Sequence, residues 1–238
     1  MKTKGPERTA QRVFSFGKHG GWRPGAGRPR GRKHPKGTPH RVRPKVTRHT
    51  PAHVTLKVCP EVTSLRTKAR VQVIRRALAQ VYVSPDFRIV DWSIQGNHLH
   101  AIVEADSNER LARGMQRFCI RVAKGLNRLV QRTGRVFSQR YHLHVLRSPA
   151  EVRHARAYVL NNHRRHARPG QQLGLVDPHS SWAWFDGWQK LPDGLTQAAE
   201  VERRGPTLAA PPRSWLLRLG WRRRGLVIPE EVPAARRR

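Results

Sequence analysis

The chain has 238 residues, enough for one medium domain with tails or for two small ones. Its 48 Lys and Arg against 15 Asp and Glu give a formal charge of +33, which repels itself in a compact body unless a polyanion meets it; nucleic-acid phosphate is the expected partner and an anionic membrane surface the lesser one. No apolar run approaches the ~20 residues of a spanning helix, the opening MKTKGPERTAQR lacks the apolar segment of a signal peptide, and Cys59 and Cys119 are too few for a disulfide framework or a four-thiolate zinc site, so a reducing cytoplasm or nucleoid and no membrane are expected.

Residues 1–50 are dense in Gly, Pro, Lys and Arg, with almost no apolar periodicity. Such a segment buries too little surface to offset its chain entropy and is expected to be disordered when free. Its Gly27–Gly31 core, Gly-Arg-Pro-Arg-Gly, resembles an AT-hook, in which Arg28 and Arg30 would lie in a narrow A·T minor groove. A generic basic tail that holds phosphates without sequence preference reads equally well.

Residues 51–168 read as the folded core. Ala52 to Cys59 alternates as a strand, with Val54, Leu56 and Val58 on one face, and stops at Pro60. An amphipathic helix follows from Leu65 to Val81, with Ser64 as N-cap and Leu65, Ala69, Val73, Ala77 and Val81 on its apolar side. Phe87 to Ile94 is a second strand, and a tight turn at Gln95-Gly96-Asn97 returns it as a hairpin into the strand His98 to Glu104. A long helix capped by Asp106 or Ser107 runs to about Gln131 on a stripe of Leu111, Met115, Phe118, Val122, Leu126 and Leu129. Its other side carries Arg110, Arg113, Arg117, Arg121, Lys124 and Arg128 without an acid, which suits a DNA phosphate track better than a solvated face. Val136 to Leu146 is a fourth strand, and a last helix runs from Ala150, behind Pro149, to about His166, with Pro169 and Gly170 closing it. The order β-α-β-β-α-β predicts a ferredoxin-like α+β sheet, helices on one face, with an added C-terminal helix. That fold serves many functions and decides none.

The chemistry sits in GNHLHAIVE, Gly96 to Glu104. Residues two apart on a strand share a face, so His98 and His100 project together while Leu99 turns away. Two neutral imidazoles on a strand make a half-site for a divalent metal, although in a chain with 13 histidines such a triplet also reads as plain surface. The last helix holds Tyr158, one of three tyrosines, and Asn162 one turn along the same face. A His-hydrophobic-His strand followed at this spacing by a tyrosine helix with an amide four residues on resembles the HUH single-tyrosine transposases of small bacterial insertion sequences, REP-associated tyrosine transposases included. The resemblance covers roughly Ala52 to Ala167.

That resemblance implies His98, His100 and Asn162 as ligands of a divalent ion, Mg or Mn, and Tyr158 as the nucleophile. The implied substrate is single-stranded or hairpin DNA, held after cleavage as a 5′-phosphotyrosine during DNA transposition in the bacterial nucleoid. Arg164 and Arg165, next on the same helix, join the expected DNA contacts. Many relatives have a proline after the amide; here His163 follows, which puts the helix end in question. A phenol titrates at about pH 10 and needs help to attack phosphate at neutral pH. A divalent ion on two imidazoles and an amide keeps its full charge and can polarise the scissile phosphate. The second triplet, His142 to His144, reads as sheet surface facing DNA. Tyr141 beside it is the rival nucleophile but reads as core packing, and Tyr82 reads as structural.

Residues 169–238 form an aromatic and basic extension. Asp177 to Trp188, with three tryptophans and a phenylalanine, is expected to dock on the core rather than stack bases. A Pro-rich linker leads to Ser214–Pro229, read as a small helix with a basic exit. Two rival readings stay open: a domesticated DNA-binding protein of the same fold without turnover, and an RNA-binding ferredoxin-like module, which would carry stacking aromatics where His98 and His100 stand. Monomer and homodimer are both compatible with the sequence.

Overall fold

A computed structural model of the chain describes residues 43–81, 84–165, 167, 170 and 172–233. The hook-like Arg28 and Arg30, and Tyr82, lie outside the described residues. Of the expected tail, residues 43–50 are described and belong to the fold: Val46 is buried and its N–H donates to Asn108 Oδ1 at 2.7 Å.

Four antiparallel strands, β1 (Ala52–Lys57), β2 (Phe87–Ile94), β3 (His98–Ala105) and β4 (His142–Val145), lie in the order β2-β3-β1-β4. With α1 (Lys68–Val81) between β1 and β2 and α2 (Asn108–Leu129) between β3 and β4, this is the ferredoxin-like α+β arrangement that the element order predicts. The period of two sorts the side chains. Val54 and Leu56 of β1 and Leu99, Ala101 and Val103 of β3 join Ile74 and Leu78 of α1 and Met115 and Phe118 of α2 in one core. Gly114 lets α2 settle on the sheet, since a Cβ there would lie 2.1 Å from the Phe87 ring.

The helices do not all share that face. On the other side lies α3 (Pro149–Arg165), whose Val152, Val159 and Leu160 join Val90 of β2 and Ile102 of β3 in a second core. A capping box starts α3: Ser148 Oγ accepts from Glu151 N at 3.2 Å, and Glu151 Oε2 accepts from Ser148 N at 3.1 Å. The extension covers the far side of α3. Trp182, Phe185, Trp188 and Trp221 are buried in the second core, so the aromatic segment docks. The extension also runs along the outer edge of β2, where Ile94 N donates to His179 O and Ser181 N to Trp92 O, each at 2.8 Å. An edge strand that would otherwise expose its ladder is thereby paired. Among the described residues, no helix is long and apolar enough to cross a membrane.

Several expected boundaries move. The first helix begins at Lys68, not Leu65; Ser64 Oγ accepts from Arg66 N instead of capping it, and Val71 N returns to Thr67 O. The buried face shifts accordingly to Val71, Ile74, Ala77, Leu78 and Val81, and Ala69 is exposed. Leu129, the last residue of α2, is 42% exposed and not part of the stripe that packs. The fourth strand keeps only His142–Val145, while Phe137 reaches the sheet through one bridge to Val58. The Arg135 guanidinium takes the carbonyls of Phe137 and Ser138, removing acceptors that a continuous ladder would need. The Pro-rich linker contains a helix, α4 (Asp193–Arg203), ahead of the short α5 (Trp215–Arg218).

A β-bulge in β2 between Ile89 and Asp91 adds one residue, which brings both Val90 and Asp91 to the second face. There Asp91 Oδ2 accepts from Arg156 Nε of α3 at 3.0 Å, with the two side chains 4% and 3% exposed. The Arg156 guanidinium also lies 5.1 Å from the Phe185 ring centroid and 4.8 Å from that of Trp221. Burial pushes the Asp91 carboxyl above the usual carboxylate range, and Arg156 pulls against that. Removing one partner would strand a buried charge, so Arg156→Ala should cost about 3–5 kcal/mol of unfolding free energy in denaturant titration. The double apolar replacement Arg156→Met with Asp91→Leu should cost much less.

Candidate active site

The hairpin turn presents His98 and His100 on the second face of the sheet, opposite Leu99. Their rings lie 4.6 Å apart at 83°. The α3 helix brings Tyr158 over them: its ring centroid is 5.1 Å from that of His100, at 82°. A third imidazole, His53 of β1, stands 5.2 Å from the His100 ring and 5.7 Å from the Tyr158 ring. The cluster thus draws on β3, β1 and α3, and His100 at its centre is 4% exposed. Arg165 approaches from the end of α3, its guanidinium carbon 5.8 Å from the Tyr158 ring centroid.

Hydrogen bonds bear on the tautomers. His98 Nδ1 lies 2.7 Å from Asn97 Oδ1. An amide oxygen only accepts, so Nδ1 carries the proton and Nε2 the lone pair of the neutral ring. His100 Nδ1 lies 3.1 Å from Thr55 Oγ1 and 3.2 Å from His53 Nε2. In the tautomer in which His100 Nδ1 donates, as His98 Nδ1 does, both rings carry their lone pair on Nε2, the arrangement that orients imidazoles in metal sites.

Asn162 sits one turn beyond Tyr158 on the same face of α3. It is fully buried, and neither its amide nitrogen nor its oxygen has a hydrogen-bond partner among the described residues. Such a group costs on the order of 1–3 kcal/mol unless something else meets it. Among the described residues no three His, Cys, Asp or Glu side chains gather as a metal-holding group. A buried neutral amide with an unmet oxygen is a donor of the kind that a divalent ion beside His98 and His100 could take as a further ligand. Next along, His163 Nε2 donates to Gly174 O at 3.4 Å, and burial lowers the His163 pKa below the usual histidine range. An open cleft of about 720 Å³ adjoins His98, bounded by Ser64, Arg66, Asn97, His163 and Asp177. Arg66 donates to both carboxylate oxygens of the buried Asp177, at 2.9 and 2.8 Å, and ties the cleft's two walls together.

Other expected site residues are not brought to this cluster. Arg110, Arg113, Arg117, Arg121 and Lys124 ride on α2, across the sheet from Tyr158. Three of them also have local partners: Arg110 pairs with Asp86 at 2.6 Å, Arg113 with Glu109 at 2.5 Å, and Arg121 donates to Gln80 at 3.0 Å. Arg164 donates to the carbonyls of Pro229, Gly174 and Leu175, so it holds the extension in place. In the second triplet His142 is exposed, and His144 Nε2 stands 3.9 Å from Glu151. Tyr141 packs with the first core, across the sheet from the cluster, under the Arg43 guanidinium; burial pushes its hydroxyl up.

His53 and Thr55 are site residues that the sequence motifs do not single out. The signal was present: in Ala52–Lys57 the residues alternating with Ala52, Val54 and Leu56 are His53, Thr55 and Lys57, and they line the face opposite the first core. What was missing was the pairing of β1 with β3, which sets Thr55 opposite His100.

No family model matches the chain, and no curated protein matches it in sequence. Among solved structures it is similar to a REP-associated tyrosine transposase bound to a REP hairpin, at 17% identity and a TM-score of 0.48, over 60% of this chain and 82% of that one. At that identity and overlap the likeness decides nothing about activity.

Burial lowers the pKa of His179, at the edge of β2, with Arg66 adding to the shift. A lowered folded pKa favours the neutral ring, so below about pH 6.5 the unfolded chain takes up a proton that the native state refuses. Stability should therefore fall as pH drops from about 6.5 through the depressed folded value. Denaturant midpoints measured across this range should fall less steeply for His179→Gln than for the unaltered chain.

Proposed function

We propose that the chain is a metal-dependent single-stranded DNA endonuclease and strand transferase of the transposase type, with Tyr158 as nucleophile. The observation that carries this reading is the Tyr158 ring set 5.1 Å from His100 and joined there by His98 and His53. The metal ligands are His98, His100 and Asn162, and the ion is Mg or Mn. When bound, the ion would supply positive charge beside the scissile phosphate and hold its oxygens. Asn97 and Thr55 keep the two imidazoles turned for that ligation. The Tyr158 oxygen bonds to phosphorus, the phenol gives up its proton, and the 3′ oxygen leaves and takes one, which yields a 5′-phosphotyrosine and a 3′-hydroxyl. Because the ester conserves the energy of the broken bond, the 3′-hydroxyl of a second strand can displace Tyr158 without ATP.

The substrate is single-stranded or hairpin DNA. The open cleft beside His98 has room for an unstacked nucleotide, and the charge of +33 supplies long-range attraction for the backbone. A sheet-face RNA reader is disfavoured because α3 and the extension cover the second face and histidines occupy the central strand. The cations of α2, across the sheet, are suited to flanking DNA rather than to the cleaved phosphate.

Cleavage of single-stranded DNA should stop with EDTA and return with Mn or Mg. His98→Ala with His100→Ala should abolish it while DNA binding persists; undiminished cleavage by that variant would remove the metal assignment. Tyr158→Phe should fold, bind DNA and metal, and form no covalent complex, while Tyr141→Phe should retain the adduct. The adduct should survive denaturation and map to Ala157-Tyr158-Val159. If no hairpin or single-stranded substrate gives one, the chain is a DNA binder of this fold without turnover.

A further inference from the structure

We propose that His53 is a positioning residue that selects the ligating tautomer of His100, an inference that rests on the metal-site reading above. His100 Nδ1 has Thr55 Oγ1 at 3.1 Å and His53 Nε2 at 3.2 Å. A neutral imidazole carries one proton. If His53 Nε2 donates to His100 Nδ1, the proton of His100 sits on Nε2, and that nitrogen does not ligate. If His53 Nε2 accepts, His100 keeps its proton on Nδ1 and offers the Nε2 lone pair to an ion. The Thr55 hydroxyl satisfies either state, because it donates as readily as it accepts. Of the two partners, the imidazole is the one whose Nε2 can only accept or only donate in a given tautomer, and with its proton on Nδ1 it accepts.

The location supports this role. His53 is not opposite His100 in the ladder; Thr55 is, and His53 faces Ile102. It reaches His100 along the diagonal of the β1–β3 pair, where a long or aromatic side chain can bridge the gap. Its ring meets the His100 ring at 5.2 Å and 36° and the Tyr158 ring at 5.7 Å and 65°. His100 is thus held on three sides, by His53, His98 and Tyr158, so its ring plane is set before any ion arrives. Because Ala52 and Val54 on either side of His53 belong to the first core, the backbone that carries it is fixed by packing that a change at His53 leaves in place.

The test uses the full chain and Mn²⁺ as probe, with binding read by calorimetry and by the Mn²⁺ paramagnetic resonance signal, and adduct formation measured against metal concentration. His53→Phe keeps an aromatic ring against Tyr158 but removes the hydrogen bond. It should weaken Mn²⁺ binding about 10- to 100-fold, the range seen when outer-shell partners of ligating histidines are lost. The metal concentration for half-maximal adduct should rise by the same factor, and adduct formation should recover at saturating metal. His53→Gln, whose amide oxygen accepts in place of Nε2, should bind Mn²⁺ close to the unaltered chain. Both variants should unfold at the same denaturant concentration as the parent. Unchanged Mn²⁺ affinity in His53→Phe, or equal loss in both variants, would overturn the inference while the metal-site reading stands. Absence of Mn²⁺ binding by the unaltered chain would overturn both.

Discussion

The buried pair of Asp91 and Arg156 is the constraint on which the rest depends. A guanidinium and a carboxylate, both nearly excluded from water, tolerate that burial only with each other and with the aromatic faces of Phe185 and Trp221 beside them. Each partner comes from a different layer. Asp91 reaches the second face because a bulge adds a residue to β2, and Arg156 belongs to the helix laid across that face. The two rings come from the extension. One interaction therefore sets the position of α3 against the sheet, and the extension closes over it.

The cluster is a consequence of that docking. With α3 fixed, Tyr158 lies over His100 and His53, and Asn162, fully buried, follows one turn later on the same face of the helix. The helix is buried on nearly every side although its sequence is rich in Arg, Asn and His. Its donors find partners in the extension: Asn161 donates to Ile228 O and Glu231 O, Arg164 to the carbonyls of Pro229, Gly174 and Leu175, and His163 to Gly174 O. Asn162 stands apart, because its buried amide makes no such bond. Asn161 Oδ1 and His163 Nδ1 on either side each lack one partner too, but in Asn162 both polar atoms of the side chain are unmet, which suits a group that a ligand completes.

The extension is part of the same construction. Glu104, at the end of the strand that begins with His98, accepts the backbone N–H groups of Arg213 and Ser214 at 2.8 and 2.7 Å. Trp92, which packs in the first core, donates its indole N–H to Leu208 O at 2.9 Å. Residues far apart in the chain thus grip both ends of the hairpin's strands, and the short turn that positions His98 inherits their rigidity. A site whose ligands sit on paired strands and a packed helix is held more tightly than one built on loops.

By itself the sequence determined what depends on near neighbours. The period of two in His98–Glu104 placed His98 and His100 on one face and Leu99 on the other, and the same period in Ala52–Lys57 marked β1. The stripe from Leu111 to Leu126 marked α2, and the turn at Gly96 marked the hairpin. Four residues of helix were enough to put Tyr158 and Asn162 on one side of α3. Each of these follows from local geometry, which a few consecutive residues specify. Only the tertiary structure decided that α3 crosses the sheet on the face away from α1 and α2, because that choice hangs on a pair 65 residues apart and on rings from the extension. The same choice separated the α2 arginines from Tyr158 and turned Arg164 toward carbonyls, while the pairing of β1 with β3 brought His53 to His100. Strand partners and the faces of a sheet are set by contacts between distant segments, and no local pattern of apolar and polar residues encodes which segment arrives.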